Sequence, residues 1–219
     1  MSRKIALIAI GGNALLTEKE KGLQEEQLEN ARRCAEMFGN VIKAGFSLCV
    51  VHGNGPQVGN LLIQQAEGSN RIPPYTLDIC DAMTQGSMGY MIERTLLNRL
   101  AYLKLATPVT TVLTEVVVDK DDPGFQNPTK PVGPFYKEFR ALELMKEKGW
   151  HMKEDAGRGW RKVVPSPKPV EIVQIESIKL LLEGGHCVIA GGGGGIPVIR
   201  DASGLLVGVE AVIDKDRLS

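Results

Sequence analysis

The 219-residue sequence lacks an excess of charge of either sign, since 26 lysines and arginines balance 26 aspartates and glutamates. No overall field therefore attracts nucleic acid or an anionic membrane surface. The sequence also lacks an apolar run of the roughly 20 residues that would span a bilayer. Its first residues resemble a strand rather than a secretion signal. These absences favour a cytoplasmic protein whose partners are small molecules, with no nucleic acid and no membrane.

Paired cysteine motifs are missing as well. Cys34, Cys49, Cys80 and Cys187 are far apart and form no C-x-x-C. Cys49 and Cys187 lie within apolar runs that are typical of strands. The spacing therefore predicts buried free thiols in a reducing compartment, and it indicates no metal site.

The common nucleotide and hydrolase motifs do not occur. The dipeptide Gly-Lys is absent, which excludes a Walker A loop, and no glycine run satisfies G-x-G-x-x-G. There is no G-x-S-x-G and no H-E-x-x-H, and the three histidines are widely scattered. A serine hydrolase and a zinc enzyme are therefore both weak interpretations.

What the sequence does have is three apolar strand patterns that each run directly into glycines. They are KIALIAIGGNA at 4–14, SLCVVHGNGPQVG at 47–59 and HCVIAGGGGGIPV at 186–198. Backbone N–H groups at such strand ends can converge on an anion. The pattern predicts a protein that handles phosphate or carboxylate groups.

The first two junctions carry candidate binding residues. Gly11, Gly12 and Asn13 follow the first strand, and Gly53 and Asn54 follow the second. Glycine lets the backbone turn sharply and lets a ligand approach without a Cβ in the way. The alternative for the first junction is an ordinary tight turn stabilised by asparagine. The second junction is more specific, because its proline is suited to the first turn of a following helix.

Five consecutive glycines at 191–195 form the third junction. Glycine has the most backbone freedom to lose, so ordering this run is costly and indicates backbone contact with a ligand. The alternative is a flexible surface loop, which the buried-looking strand just before it disfavours.

Two lysines have unusual neighbours. Lys130 lies among prolines in NPTKPVGP, which stiffen the chain and could aim its ammonium at a phosphate. Lys215 lies between Asp214 and Asp216, which could orient it toward a transferring phosphoryl group. The alternatives are a solvated loop lysine and an ordinary charged turn.

Strand and helix patterns alternate along most of the chain, which predicts an α/β fold with a parallel sheet covered on both faces. Apolar runs predict a fully buried strand at Ile5–Ile10 and further strands at 46–51, 109–118 and 186–190. Helical spacing predicts helices at 24–44, 57–66, 79–104, 137–148 and Ile175–Glu183. Residues 196–199 and 205–209 are predicted to pair as a hairpin.

Residues 119–169 interrupt this alternation. Prolines across 119–134 predict irregular structure, and weak alternation across 151–169 predicts a hairpin. We expect this segment to be a small protruding subdomain, or lid, inserted within one domain that covers 1–219.

Several long segments resemble the carbamate kinases of the amino acid kinase superfamily. They occur in the family's order and cover essentially the whole chain: IAIGGNALL, HGNGPQVG, QGSMGYMIE, NPTKPVGPFY, EDAGRGWRKVVPSP, GGGGIPV and GVEAVIDKD. NPTKPVGPFY and AGRGWRKVVPSP distinguish carbamate kinases from other superfamily members such as acetylglutamate kinase.

The resemblance implies a fold, a reaction and an assembly. The fold is a three-layer αβα sandwich with an open, mainly parallel sheet, the amino acid kinase-like fold. The reaction is ATP + carbamate ⇌ ADP + carbamoyl phosphate, with Mg²⁺ bound through the nucleotide. The assembly is usually a homodimer, and the family often serves arginine metabolism.

The resemblance also implies roles for particular residues. Lys130 would swing in as a phosphate clamp, Lys215 would stabilise charge on the transferred group, and Asp216 would orient the lysines. Carbamate and the phosphoryl group would be held by Gly11, Gly12, Asn13, Gly53 and Asn54. The nucleotide would be bound by Gly192, Gly193, Asp214 and Lys215.

Members of the family continue well beyond the segment that matches 214–219. The resemblance therefore implies that this chain lacks the part that carries most of the adenine pocket, as a fragment or as a truncated product. One alternative function is then a non-catalytic protein that binds carbamoyl phosphate or another anion. The others are a superfamily kinase acting on a different carboxylate and a structural partner of a longer paralogue.

Overall fold

The computed structural model describes residues 4–17, 20–155 and 157–218, without the side chain of Asn13. Its helices are α1 Gln24–Lys43, α2 Gly55–Gly68, α3 Leu77–Tyr102, α4 Glu138–Lys148, α5 Ile175–Glu183 and α6 Lys215–Leu218. Its first strands are β1 Ile5–Ile10, β2 Ser47–His52, β3 Val109–Thr111, β4 Glu115–Val118, β5 Lys130–Tyr136 and β6 Met152–Glu154. The remaining strands are β7 Trp160–Val164, β8 Pro169–Ile172, β9 Cys187–Ile189, β10 Ile196–Arg200 and β11 Leu206–Gly208.

The central sheet is parallel and has the strand order β1-β2-β9-β3. Every residue of β2 is buried, as expected for an apolar strand that helices cover on both faces. On one face α1 and α3 contribute Phe38 and Ile92 to the main core. On the other face α5 packs Ile178 and Leu182 against β2 and β9. The predicted α/β fold with a parallel sheet is confirmed.

A second sheet has the order β11-β10-β4-β8, in which β10 and β4 are parallel and the two outer strands are antiparallel. The prediction of one extended segment at 109–118 was therefore wrong in detail, because β3 and β4 belong to different sheets. The break falls at Thr114, where the Gln85 side chain bonds both the backbone N–H and the backbone C=O. The predicted hairpin of β10 and β11 is confirmed.

The segment 119–169 contains a third, antiparallel sheet with the order β5-β7-β6, together with α4. Irregular structure was predicted through residue 134, whereas β5 includes Pro131 and Pro134. The prolines fit because β5 is an edge strand, where a missing N–H breaks no second ladder. Val132 of β5 packs against Val58 of α2 in a small apolar cluster. The lid role of this segment stays a prediction.

All four cysteines are free thiols, as predicted, and Cys34 is half-buried while the other three are buried. Burial raises the pKa of Cys49 to about 11 and that of Cys187 to about 12. These thiols are therefore unreactive at neutral pH. Within the described residues, no helix has the length and apolar character required to cross a membrane.

Candidate active site

The three strand-to-glycine junctions lie at one edge of the central sheet. β1, β2 and β9 are parallel neighbours, so their C-terminal ends face the same direction. In open α/β sheets, ligands bind beyond the carboxyl ends of the strands. A cavity of about 200 Å³ lies there, lined by residues 53–55, 130–132 and 212–216 together with Val58 and Gly193.

The second junction forms one wall of this cavity. β2 ends at His52 and α2 begins at Gly55, with Pro56 in its first turn, as the sequence predicted. The first N–H groups of a helix have no partners within the helix and carry partial positive charge. Gly53 and Asn54 therefore stand beside a backbone site suited to an anion.

The first junction supports the second. The backbone N–H of Gly53 donates to the carbonyl of Ile10 at 2.8 Å. A Cβ added to Gly53 would lie 2.7 Å from the backbone nitrogen of Gly12, so this approach requires glycine. Among the described residues, Gly53 and Asn54 line the cavity, whereas Gly11 and Gly12 do not. The side chain of Asn13 lies outside the described part of the structure.

The glycine run at 191–195 packs against the protein itself. The φ angles of Gly193 and Gly194 are +69° and +93°, in the left-handed region that favours glycine. A Cβ on Gly193 would collide with the amide of Asn54, and one on Gly194 with the backbone carbonyl of Ile213. These contacts explain the glycines without a ligand, so the nucleotide contact stays a prediction. Gly193 lines the cavity, whereas Gly192 packs on His52.

Both candidate lysines reach the same cavity. The Lys130 ammonium lies 2.9 Å from an oxygen of Asp214, and both side chains are about one third exposed, at 39% and 33%. This ammonium, together with the backbone N–H of Asp216, holds the pKa of Asp214 below its usual value. Lys215 contacts the carboxylate of Asp216. Asp214 is therefore the residue whose carboxylate pairs with Lys130. Asp216 was predicted to orient the lysines, and the structure places it against Lys215.

A buried polar face of α3 was missed by sequence reasoning. Asp81 and Thr84 are 1% and 0% exposed, and both accept hydrogen bonds from the Asn54 side-chain amino group, at 2.9 and 2.8 Å. The available signal was the spacing of Asp81, Thr84 and Gln85, which lie three and four positions apart and so share one helix face.

Gln85 holds the glycine run in place. Its amino group donates to the carbonyl of Gly192 at 2.9 Å, and its oxygen accepts the N–H of Thr114 at 2.8 Å. The hydroxyl of Thr114 accepts the N–H of Gly191 at 2.8 Å. The carbonyls of Thr114 and Gly192 also accept backbone N–H groups, from Ile196 and Gly195. Because Gln85 is 2% exposed, removing its side chain would therefore leave the buried N–H of Thr114 unpaired.

A family model described as the amino acid kinase family matches residues 4–219. The chain belongs to the amino acid kinase family. The fold and the glycine-edged cavity described above agree with that assignment.

Relatives that are about half identical to the chain are carbamate kinases, which confirms the resemblance found in the motifs. The carbamate kinase of Thermococcus kodakarensis is 53% identical over 216 residues, covering 97% of this chain and 68% of its own. That of Pyrococcus horikoshii is 51% identical over 212 residues, covering 96% of this chain and 67% of its own. A solved structure of carbamate kinase from Giardia lamblia bound to AMP-PNP has a TM-score of 0.90 and 42% identity, covering 99% of this chain and 68% of its own. This chain therefore spans about two thirds of the length of these relatives.

The buried groups of this amino acid kinase have strongly shifted pKa values. Burial raises the pKa of Asp81 to about 8, an effect that the Asn54 hydrogen bond opposes and that Asp78 and Glu210 reinforce. Burial lowers the pKa of His52 to about 4. His52 is therefore neutral at pH 7, and it supports the second junction rather than exchanging protons with a ligand.

A divalent cation has few protein ligands here. No group of three His, Cys, Asp or Glu side chains within the described ranges is close enough to hold a metal ion. The carboxylates that line the cavity are Asp214 and Asp216, and carboxylate oxygens suit Mg²⁺. These two residues fit a Mg²⁺ that takes its other ligands from nucleotide phosphates and water.

Proposed function

We propose that this protein transfers a phosphoryl group between ATP and carbamate, giving ADP and carbamoyl phosphate. The observation that carries the proposal is the meeting of Lys130, Lys215 and the N-terminus of α2 at one cavity of about 200 Å³. Relatives about 50% identical to the chain are carbamate kinases, which supports the choice of substrate.

The chemistry requires positioning more than proton transfer. Carbamate attacks through an oxygen that is already anionic, so no strong base is needed. The obstacle is repulsion between carbamate and the phosphate groups, which the protein must offset while it aligns the reacting atoms. Two ammonium groups and helix N–H groups suit this task, and each charge-assisted hydrogen bond contributes about 1.5–3 kcal/mol.

In this mechanism Asp214 positions the ammonium of Lys130 at the cavity before the phosphate binds. A pair this exposed contributes only about 0.2–1 kcal/mol, so an arriving phosphate can replace the carboxylate. Lys130 begins β5, the edge strand of the third sheet, which supports our proposal that the segment 119–169 carries the lysine into the site as a lid. Lys215 stabilises the charge on the transferred group, and Asp216 orients Lys215.

Mg²⁺ would be held by the nucleotide phosphates with Asp214 and Asp216. When bound, it supplies charge neutralisation on the phosphate oxygens. Gly193, Asp214 and Lys215 line the cavity on the side proposed for the nucleotide. Gly192 precedes Gly193 in the same glycine run and packs against His52. The family resemblance further supports a cytoplasmic homodimer that serves arginine metabolism.

The test is an assay of ATP formation from ADP and carbamoyl phosphate. ATP hydrolysis with acetylglutamate and with glutamate is measured in parallel, and binding of carbamoyl phosphate and of ADP is followed by calorimetry. We expect ATP from carbamoyl phosphate and no phosphorylation of the two amino acid substrates. Activity on acetylglutamate would instead identify another kinase of the family.

The same measurements separate catalysis from anion binding. Tight binding of carbamoyl phosphate without ADP binding or turnover would contradict the kinase proposal and identify an anion-binding protein. Failure to bind carbamoyl phosphate at all would contradict both.

A further inference from the structure

The side-chain amino group of Asn54 is fully used inside the protein. It donates to Asp81 Oδ1 at 2.9 Å and to Thr84 Oγ1 at 2.8 Å. An asparagine amino group has two hydrogens, so neither remains for a ligand. Asn54 itself is 6% exposed, and both of its partners are fully buried.

The orientation of this amide is fixed by Thr84. The hydroxyl of Thr84 donates its hydrogen to the backbone carbonyl of Asp81 at 2.7 Å. Toward Asn54 it can therefore only accept a hydrogen bond, whatever the charge on Asp81. Turning the amide over would place its oxygen against the lone pairs of Thr84 and leave a buried hydrogen bond unmade.

The group that remains for the cavity is the oxygen, Asn54 Oδ1. Asn54 lines the cavity beside Gly53 and Gly193, and within the described residues no side chain or backbone group donates a hydrogen bond to Oδ1. The helix N–H groups and the ammonium groups of the lysines suit anionic oxygens. Oδ1 is an acceptor, so it repels a carboxylate oxygen and needs an N–H or O–H donor on the ligand.

We propose that Asn54 Oδ1 accepts a hydrogen bond from the amino group of carbamate and of carbamoyl phosphate, and so selects them over their acetyl counterparts. The inference rests on the proposed function and adds a reason for its substrate choice. Acetyl phosphate has the same charge and nearly the same shape, but a methyl group replaces the amino group. When it binds, Oδ1 is left without a donor, and a buried group left unpaired discriminates strongly.

Asp81 and Thr84 are positioning residues in this proposal. They touch no ligand, and they act by keeping the oxygen of Asn54, rather than its amino group, toward the cavity. Their loss should therefore change the preference between two phosphates of equal charge more than it changes phosphate binding itself.

The experiment measures dissociation constants by calorimetry for freshly dissolved carbamoyl phosphate, acetyl phosphate and inorganic phosphate. We expect the wild-type protein to bind carbamoyl phosphate at least about tenfold more tightly than acetyl phosphate. In Asn54→Leu the ratio should approach one. In Thr84→Val, which keeps the shape but removes the acceptor, the ratio should fall severalfold while the affinity for inorganic phosphate changes by less than about twofold.

Thr95→Val is the matched control. Thr95 is also buried on α3, and its hydroxyl donates to the backbone carbonyls of Met91 and Ile92, away from the cavity. The ratio should be unchanged in this variant. If Asn54→Leu does not fold, Thr84→Val decides the matter.

The outcomes distinguish this inference from the proposed function. Equal affinities for carbamoyl and acetyl phosphate in the wild-type protein would overturn the inference and leave the phosphoryl-transfer proposal standing. A preference that persists in Thr84→Val and in a folded Asn54→Leu would also overturn it. Binding of none of the three phosphates would overturn both.

Discussion

The ammonium of Lys130 lies 2.9 Å from the carboxylate of Asp214, which is 84 positions later in the sequence. This pair joins the edge strand β5 to the segment that leads into α6, and both residues line the cavity. Because both side chains are partly exposed, the pair can open without a large penalty. The pair therefore places the Lys130 ammonium at the cavity, where an arriving anion can replace the carboxylate.

Replacing Lys130 by methionine removes the charge but keeps a similar length. We expect Lys130→Met to raise the Kd of carbamoyl phosphate by about ten- to a hundredfold, since a charge-assisted hydrogen bond contributes about 1.5–3 kcal/mol. Calorimetry measures the change, and Lys120→Met on an exposed loop is the control. An unchanged Kd in Lys130→Met would show that this lysine does not clamp the phosphate.

Lys215 is expected to act on the reaction step. Lys215→Ala should lower kcat by at least about tenfold, equivalent to ~1.4 kcal/mol, because the charge on the transferred group loses its partner. Steady-state assays of ATP formation measure the effect. The control is Lys179→Ala on the exposed face of α5, which should leave kcat unchanged. Near-wild-type turnover in Lys215→Ala would refute the assigned role.

Two glycine substitutions should have opposite effects on stability. Gly193→Ala places a Cβ at a φ of +69° and against the Asn54 amide, so it should lower the free energy of unfolding by about 1–3 kcal/mol or more. Gly86→Ala lies in α3 with open space around the new Cβ, and should raise it by about 0.5–1 kcal/mol. Urea unfolding followed by circular dichroism measures both. Equal effects would contradict the packing described for Gly193.

Asp81 makes stability depend on pH. Its pKa is raised to about 8 in the folded protein, from an ordinary value of 3.8. Between pH 4 and 8 the unfolded chain releases this proton while the folded protein keeps it. The free energy of unfolding therefore falls as pH rises, by at most about 1.4 kcal/mol per pH unit from this group.

Asp81→Asn removes this titration and keeps an oxygen that accepts from Asn54. We expect its melting temperature, relative to that of the wild-type protein, to increase from pH 5 to about pH 8 and to level off above it. Thermal unfolding at matched ionic strength measures the difference, and Asp121→Asn on an exposed loop is the control. A difference that does not vary with pH would show that the Asp81 carboxyl has no raised pKa.

Long periodic segments were predictable from the sequence. α5 and β1 have the predicted bounds, and α1 agrees with prediction to within a residue, because apolar residues repeat regularly along each element. The predicted full burial of β1 was wrong, since β1 is an edge strand whose Ile5 and Leu7 are about half exposed. The split between β3 and β4 was not predictable, since it depends on Gln85, a side chain that is 29 positions from Thr114. The strand at Lys130–Tyr136 was missed because its prolines indicated irregular structure. Proline is excluded from central strands but is tolerated in an edge strand such as β5.

The candidate site was predictable where glycine-rich turns and lysines with unusual neighbours mark it in the sequence. Gly53, Asn54, Lys130 and Lys215 were singled out from glycines and charged residues, and all four line one cavity. The partners of Asn54 were not found, because Asp81 and Thr84 lie on a helix whose glycines and apolar residues suggested only packing. The ion pair between Lys130 and Asp214 was likewise missed. Asp214 and Asp216 both flank Lys215, and the sequence does not show which of them pairs with Lys130.

One helix holds two of the segments that build the cavity. Asp81 and Thr84 bind the Asn54 side chain and Gln85 binds the Gly192 carbonyl, and these three residues lie within about one helical turn of α3, a rise of roughly 5.4 Å. The separation of the Asn54 turn and the glycine run is therefore set by the fixed repeat of a helix instead of by the lengths of two loops. A displacement of α3 would carry these two segments together and preserve their separation.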